Sequence, residues 1–245
     1  GCRTYDVVEN TRQAYQAAKA FGAFQDLVSD LPVDKVVVTI PGFHDTPARY
    51  ARLMTAIEKD IHGRAGDVAD EIAFIKGRES ITGRLLDLVA TGDLIERVTH
   101  NDTKLNNVMI DEQTDEAVCV IDLDTVMPGL ALYDFGDMVR AATSPVSEDE
   151  RDVSKVEMRM SMFEALLEGY LETAHNFLSP LEIELLPFSA KLISLETGIR
   201  FLTDHLEGDQ YFKIQRVGHN LDRCRTQLAL VRSIEEQEGQ MSNFV

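Results

Sequence analysis

Apolar residues recur at helical spacing along most of this chain, and that pattern sets its class. Ala14, Ala17, Phe21, Phe24 and Val28 step by threes and fours. So do Val156, Met160, Phe163, Leu167 and Tyr170, and again Leu221, Cys224, Leu228 and Val231. Thr46-Pro47 reads as an N-cap followed by proline at the first helical position, opening a helix through Tyr50, Leu53, Met54, Ile57 and Ile61. The stretch from Asp67 to Ala90 holds one or two further helices, broken near Gly77 or Gly83. Strand-like runs are few. Lys35–Ile40 is one; Val108–Ile110 and Val118–Ile121 are two more, separated by the polar, turn-like cluster Asp111–Asp115. No repeat, low-complexity tract or linker divides the chain. The expectation is a single α+β, mainly α, unit over residues 1–245 with a small β-hairpin.

That hairpin matters because of what flanks it. If it is centred between Thr114 and Asp115, Ile110 faces Cys119, Val108 faces Ile121, and Asn107 lies directly opposite Asp122. Directly opposed residues of an antiparallel pair stand about 4.5–5.5 Å apart. A side-chain amide oxygen and a carboxylate at that separation can share one metal ion, and oxygen ligands suit Mg²⁺. Asp102 lies on the loop that feeds the first strand.

The composition narrows the partners. The chain has 245 residues, is 44% hydrophobic and carries a net charge of −18. It can bury a full core, and no basic stripe exists to displace counterions from a nucleic-acid backbone. No run approaches the roughly eighteen apolar residues of a membrane span, and no basic-plus-apolar leader is visible. Cys2, Cys119 and Cys224 are odd in number and far apart, so no disulfide framework is expected and the cytoplasm is the default compartment. Cys119 and Cys224 read as small core residues. A bound polyphosphate needs Mg²⁺ and positive groups from elsewhere.

The most specific chemistry lies between His100 and Asp124. His100, Asp102 and Asn107 form H-x-D-x-x-x-x-N, and Asp122 ends an apolar run twenty residues after Asp102. The chain's composition gives about 0.015 accidental matches to that loop pattern. Kinases use such an arrangement to bring an acceptor hydroxyl and Mg²⁺ together. His100, two before the Asp, is expected to pack and to hydrogen-bond the loop backbone. His44, in G-F-H-D-T-P, reads as an ordinary loop residue before a helix cap. His62, His175, His205 and His219 have no mutual metal-ligand spacing.

These residues resemble the C-terminal lobe of the protein-kinase-like small-molecule kinases, the aminoglycoside phosphotransferase and choline kinase superfamily. More narrowly, T-H-N-D-T-K-L-N-N-V-M-I-D, C-V-I-D-L-D-T-V-M-P-G-L-A-L-Y-D-F-G-D and R-F-L-T-D-H-L-E-G-D-Q-Y-F look like the N-acetylhexosamine 1-kinases, which phosphorylate the anomeric hydroxyl of an amino sugar. The resemblance covers essentially the whole chain. It implies ATP and Mg²⁺ as reaction partners and Asp102 as the base. It implies Asn107, Asp122 and Asp124 as metal ligands, and Arg200 and Tyr211 as contacts to the sugar. Choline, homoserine or an aminoglycoside as acceptor, or a non-catalytic binding domain, are the competing readings.

Two departures qualify this. Asp134-Phe135-Gly136 spells the D-F-G of protein kinases but lies beyond the strand that already ends in Asp122. It is therefore not expected to supply the principal metal ligand, and Asp137 is expected to accept hydrogen bonds from backbone near the catalytic loop. Kinases of this fold also cover the phosphates with a five-stranded N-terminal lobe and a lysine. Residues 1–99 contain no G-x-G and one strand-like run. The expectation is thus a C-terminal lobe without its nucleotide lobe, with no nucleotide-binding residues of its own. Such a chain is inactive alone and prone to self-association through the surface such a lobe covers.

Overall fold

The computed structural model describes residues 1–5 and 7–245. In chain order the elements are β1 (Cys2–Arg3), α1 (Thr11–Leu27), α2 (Thr46–Lys59), α3 (Ala69–Lys76), α4 (Arg84–Thr91), β2 (Arg97–Thr99), β3 (Val108–Asp111), β4 (Ala117–Val120) and β5 (Met127–Gly129). Then come α5 (Ala131–Ala142), α6 (Met160–Ala174), α7 (Pro180–Glu184), α8 (Leu186–Leu206) and α9 (His219–Met241). The fold is mainly helical α+β. β1, β3 and β4 form one antiparallel sheet, and β2 pairs antiparallel with β5.

Two apolar cores share one axis. The first joins α1, α5 and α6 to the N-terminal half of α8 around Phe21, Phe135, Phe163 and Tyr170. The second joins α2 and α3 to the C-terminal half of α8 and to α9 around Leu53, Ile75, Leu202 and Val231. Each fully buried Leu, Ile or Phe contributes about 1.5–3 kcal/mol relative to exposure, so α8, which feeds both cores, ties the molecule together. Two close helix approaches require glycine. A Cβ at Gly169 would collide with the Tyr15 carbonyl where α6 meets α1, and one at Gly136 would come within 2.5 Å of the Ser189 carbonyl oxygen where α5 meets α8. Gly136→Ala is therefore expected to cost about 1–3 kcal/mol of stability by overpacking, read from the urea midpoint. An unchanged midpoint would mean that α5 and α8 separate easily.

The hairpin exists, but its register differs from the expected one. Val108 pairs with Val120, Met109 with Cys119 and Ile110 with Ala117, leaving Val118 as a bulge. The turn chemistry is the cause. The Asp111 carboxylate accepts the Gln113 and Thr114 N–H groups at 2.8 and 3.0 Å, Asp115 takes a left-handed φ of 55°, and the Asp111 N–H bonds the Glu116 carbonyl at 2.9 Å. Closing the loop there brings Glu116, not Val118, opposite Asp111, and the bulge recovers one of the two residues lost. Asn107 consequently faces Ile121, whose N–H donates to the Asn107 carbonyl at 2.9 Å, and Asp122 falls one residue beyond. A one-residue slip exchanges faces, so Cys119 is exposed rather than a core residue, while Cys224 is buried as expected.

Three other sequence expectations change. Lys35–Ile40 is no strand: a 3-10 turn spans Val33–Lys35, and the β-branched run that follows finds no partner strand and leaves Val37 75% exposed. The cap of α2 is Asp45, which accepts the Ala48 N–H at 2.9 Å, because the Thr46 hydroxyl is spent on Glu196. α2 also ends at Lys59, so Ile61 lies past it and is exposed. Helices break at both Gly77 and Gly83. No helix among the described residues is long and apolar enough to cross a membrane.

Candidate active site

The loop leaving β2 is shaped by carboxylates from α5. Asp134 is wholly buried and accepts three N–H bonds: from the His100 and Asn101 backbones at 2.9 and 2.7 Å, and from Gln25 Nε2 at 2.6 Å. Its own carbonyl accepts the Thr103 hydroxyl at 2.6 Å. Asp137 accepts the Thr103 N–H at 3.0 Å and Arg140 Nε at 2.8 Å. Both carboxylates of the D-F-G-D stretch therefore serve as backbone clamps; the sequence assigned that work to Asp137 alone. Asn101 itself sits at a left-handed φ of 65°, a conformation Asn tolerates better than most residues.

Burial pushes the Asp134 carboxyl upward, against the opposing pull of its N–H donors. Burial acts the same way on Asp137, but the Arg140 guanidinium outweighs it and holds that carboxyl below the ordinary range. A depressed carboxyl contributes stability above its unfolded value, near 3.8, and loses it as pH falls through the folded value. The Asp137 clamp is thus intact at neutral pH and opens in strong acid.

His100 is fully buried, with its ring edge-on to Phe21 and Phe24 at 5.2 and 5.7 Å. Its Nδ1 accepts the Asp102 N–H at 3.3 Å, so its Nε2 carries the proton donated to the Ile121 carbonyl at 3.0 Å. Both nitrogens are occupied by backbone, in line with a packing role.

Asp102 projects from the clamped loop, partly exposed. Its Oδ2 accepts Asn107 Nδ2 at 3.0 Å, and its Oδ1 stands 2.7 Å from Lys104 Nζ. The Asn107 amide nitrogen also bonds the Asp102 carbonyl at 2.8 Å, which turns the amide oxygen away from Asp102. The structure thus brings Asp102, Asn107 and Lys104 together. The sequence reading missed Lys104, although its place two residues after the Asp was in view. Asp122 begins the 3-10 turn Leu123–Thr125 at a left-handed φ of 62°, and both it and Asp124 are exposed. Among the described residues no three His, Cys, Asp or Glu side chains gather as a metal site. The three expected metal ligands all carry side-chain oxygens, which suit a hard cation, but Asp122 does not lie opposite Asn107 as expected.

A second feature is the cleft between α2, the end of α8 and the loop after it, where Arg200 and Tyr211 both lie. The loop is fixed by buried Asp204, which accepts the Gln210, Tyr211 and Phe212 N–H groups at 2.9, 2.7 and 3.0 Å. The Arg200 guanidinium stands 5.4 Å from the Phe43 ring centre and 5.5 Å from that of Phe212. Arg49 and Arg52 line the same cleft. Burial and the neighbouring Arg200 pull the Arg49 guanidinium below its usual value, and its Nε has no hydrogen-bond partner.

The site is thus a loop that holds one carboxylate beside an amide and an ammonium, mounted on a mainly helical scaffold. The chain belongs to the phosphotransferase enzyme family (APH), matched over residues 3–178. In structure it is similar to an ethanolamine kinase of Plasmodium vivax, with a TM-score of 0.51 at 11% identity, over 90% of this chain and 62% of that one. A microcompartment-associated aminopropanol kinase (TM-score 0.46, 19% identity, 71% of this chain and 47% of that one) is a weaker likeness. So is an ADP-bound aminoglycoside phosphotransferase, APH(2'')-Ib (0.44, 12%, 95% and 69%). The chain spans about half of the aminopropanol kinase and 62% of the ethanolamine kinase. At such identities the likeness concerns the fold.

Proposed function

We propose that this chain is the C-terminal, acceptor-activating lobe of a small-molecule kinase that transfers the γ-phosphate of ATP to the anomeric hydroxyl of an N-acetylhexosamine. The observation that carries the reading is the Asp102 carboxylate, set between Asn107 Nδ2 and Lys104 Nζ on a loop clamped by Asp134 and Asp137. In this reading the acceptor hydroxyl gives its proton to Asp102 as its oxygen bonds the γ-phosphorus. The bond from that phosphorus to the bridging oxygen breaks, and ADP leaves. Asn107, Asp122 and Asp124 would hold Mg²⁺, which neutralises phosphate charge when bound. Lys104 places a cation beside the base in a chain whose net charge is −18.

Arg200 and Tyr211 are the proposed sugar contacts: a guanidinium and a phenol supply oriented donors, and the Phe212 ring beside them offers an apolar face. The charge of the cleft favours an uncharged acceptor. Arg49, Arg52 and Arg200 line it; Arg52 and Glu207 pair with each other, and Asp204 is taken by backbone N–H groups, which leaves Arg49 and Arg200 to set its sign. Choline, ethanolamine and aminoglycosides are cations that such a wall repels, whatever the sign of the whole molecule.

The test pairs N-acetylglucosamine with its methyl glycoside in a kinase assay on a chain that also carries a nucleotide-binding lobe. Phosphorylation of the free sugar alone is expected; equal phosphorylation of both removes the 1-kinase assignment. The 245-residue chain by itself is expected to fold and to show no turnover, because phosphate positioning needs groups that the described residues do not present.

A further inference from the structure

The sequence reads His44 as an ordinary residue before a helix cap, and its surroundings are not those of one. Its Nδ1 lies 2.9 Å from Glu196 Oε1, and the Thr46 hydroxyl donates to Glu196 Oε2 at 2.5 Å. Glu196 is wholly buried on α8. Burial pushes its carboxyl up, but His44, Thr46 and Arg200 together hold it below the ordinary range. An ionised Glu196 needs a donor at each oxygen: Thr46 serves Oε2, and the ring serves Oε1 through its Nδ1–H. The imidazole lies tilted on Tyr133 at 4.5 Å and edge-on to Phe43 at 4.7 Å, and its side chain is 9% exposed. Nε2 is buried with no hydrogen-bond partner. Such orphaned atoms are rare in native interiors and ask for a cause.

The position of the ring supplies one. His44 borders an open cleft with Val38, Phe43, Asn101, Met127 and Tyr133. Asn101, the residue before the proposed base, is part of its wall. Phe43 connects it to the arginine-lined cleft, since the ring that touches His44 also lies under Arg200. We infer that His44 is a substrate-binding residue: Glu196 orients it so that Nε2 hydrogen-bonds a hydroxyl of the acceptor molecule. This rests on the proposal that the chain binds an uncharged polar acceptor such as an N-acetylhexosamine. Glu196, which touches no ligand, is a positioning residue.

Two variants separate ligand contact from packing. His44→Asn sets an amide N–H near the place of Nδ1, keeps Glu196 bonded and removes Nε2; His44→Ala leaves Glu196 short of a donor. Melting temperatures of the 245-residue chain are compared with calorimetric affinities for N-acetylglucosamine, ethanolamine and choline. The Asn variant is expected to melt within about 2 °C of wild type, with the Ala variant lower. The Kd of the Asn variant for N-acetylglucosamine is expected to rise about 5–10-fold, the worth of one hydrogen bond. An Asn variant with unchanged affinity overturns the inference, and so does one melting more than about 5 °C lower, which would assign the ring to packing. Wild-type binding of ethanolamine or choline in place of the sugar overturns the proposed substrate instead. The same variants titrated with that molecule then decide on His44, an unchanged Kd again overturning its role.

Discussion

Asp102→Asn, made in a chain that also carries a nucleotide-binding lobe, is expected to lower kcat about 10²–10⁴-fold, the usual contribution of a positioned general base. The acceptor KM is expected to stay within a few-fold, because the substituted group acts on a proton and not on the sugar ring. The variant is a clean probe for a geometric reason. A carboxamide can keep its oxygen toward Asn107 Nδ2, and its NH₂ then meets only Lys104, a side chain 45% exposed and able to swing into water. The loop's anchors, Asp134 and Asp137, are untouched. A kcat within threefold of wild type, with an unchanged melting temperature, would remove Asp102 from the role of base. A large loss accompanied by a lowered melting temperature would point to the loop and not to proton transfer.

The grouping of Asp102 with Asn107 was legible in the sequence because it is local, whereas Lys104 and the α5 clamps were not read from it in full. His100, Asp102, Lys104 and Asn107 span eight residues, and a tight loop leaves few ways to arrange them. The helices of the amphipathic surface were legible for a similar reason, since one face of α1 or α9 meets a core and the other meets water. α8 was not, because a helix buried almost all round has no polar face to set a period. α5 was missed on the same ground, and there the letters D-F-G drew attention to metal chemistry. Gly136 is a glycine because α5 passes close to the Ser189 carbonyl, and Asp134 is an aspartate because backbone N–H groups need an acceptor.

The hairpin marks the boundary between the two cases. Its existence follows from two β-favouring runs around a polar turn, but its register was set by which N–H groups the Asp111 carboxylate captures. That is a competition between alternatives of similar energy, and alternation of residue types does not resolve it. The Lys35–Ile40 run fails differently: its β propensity is real, yet a strand needs a partner edge, and none among the described residues reaches it. His44 and Glu196 could not have been paired from the sequence, since 152 positions separate them and only the docking of α2 against α8 unites them.

Asp134→Ala is expected to be among the most destabilising single changes in the molecule, because each buried donor left unpaired costs about 1–3 kcal/mol and three lose their acceptor. Three N–H groups point at this carboxylate, and the Gln25 amide that supplies one of them is itself held by the Tyr170 hydroxyl. Nothing else buried nearby accepts those bonds, so truncation leaves donors unpaired where water does not reach. Asp134→Asn is the sharper variant. Whichever way its amide turns, an NH₂ faces an N–H, and a loss of about 1–3 kcal/mol is expected although the shape is conserved. Stability is read from urea unfolding of the 245-residue chain. A typical domain has only about 5–15 kcal/mol in hand, so the alanine variant is expected to populate partly open states near body temperature, with faster amide exchange at His100, Asn101 and Thr103. The contrast with a metal ligand is direct. Removing a ligand leaves the apo fold as stable as before, or more stable where like charges are relieved. An Asp134→Asn protein with wild-type unfolding and lost Mg²⁺ affinity would return the D-F-G stretch to the metal site and leave the loop without its clamp.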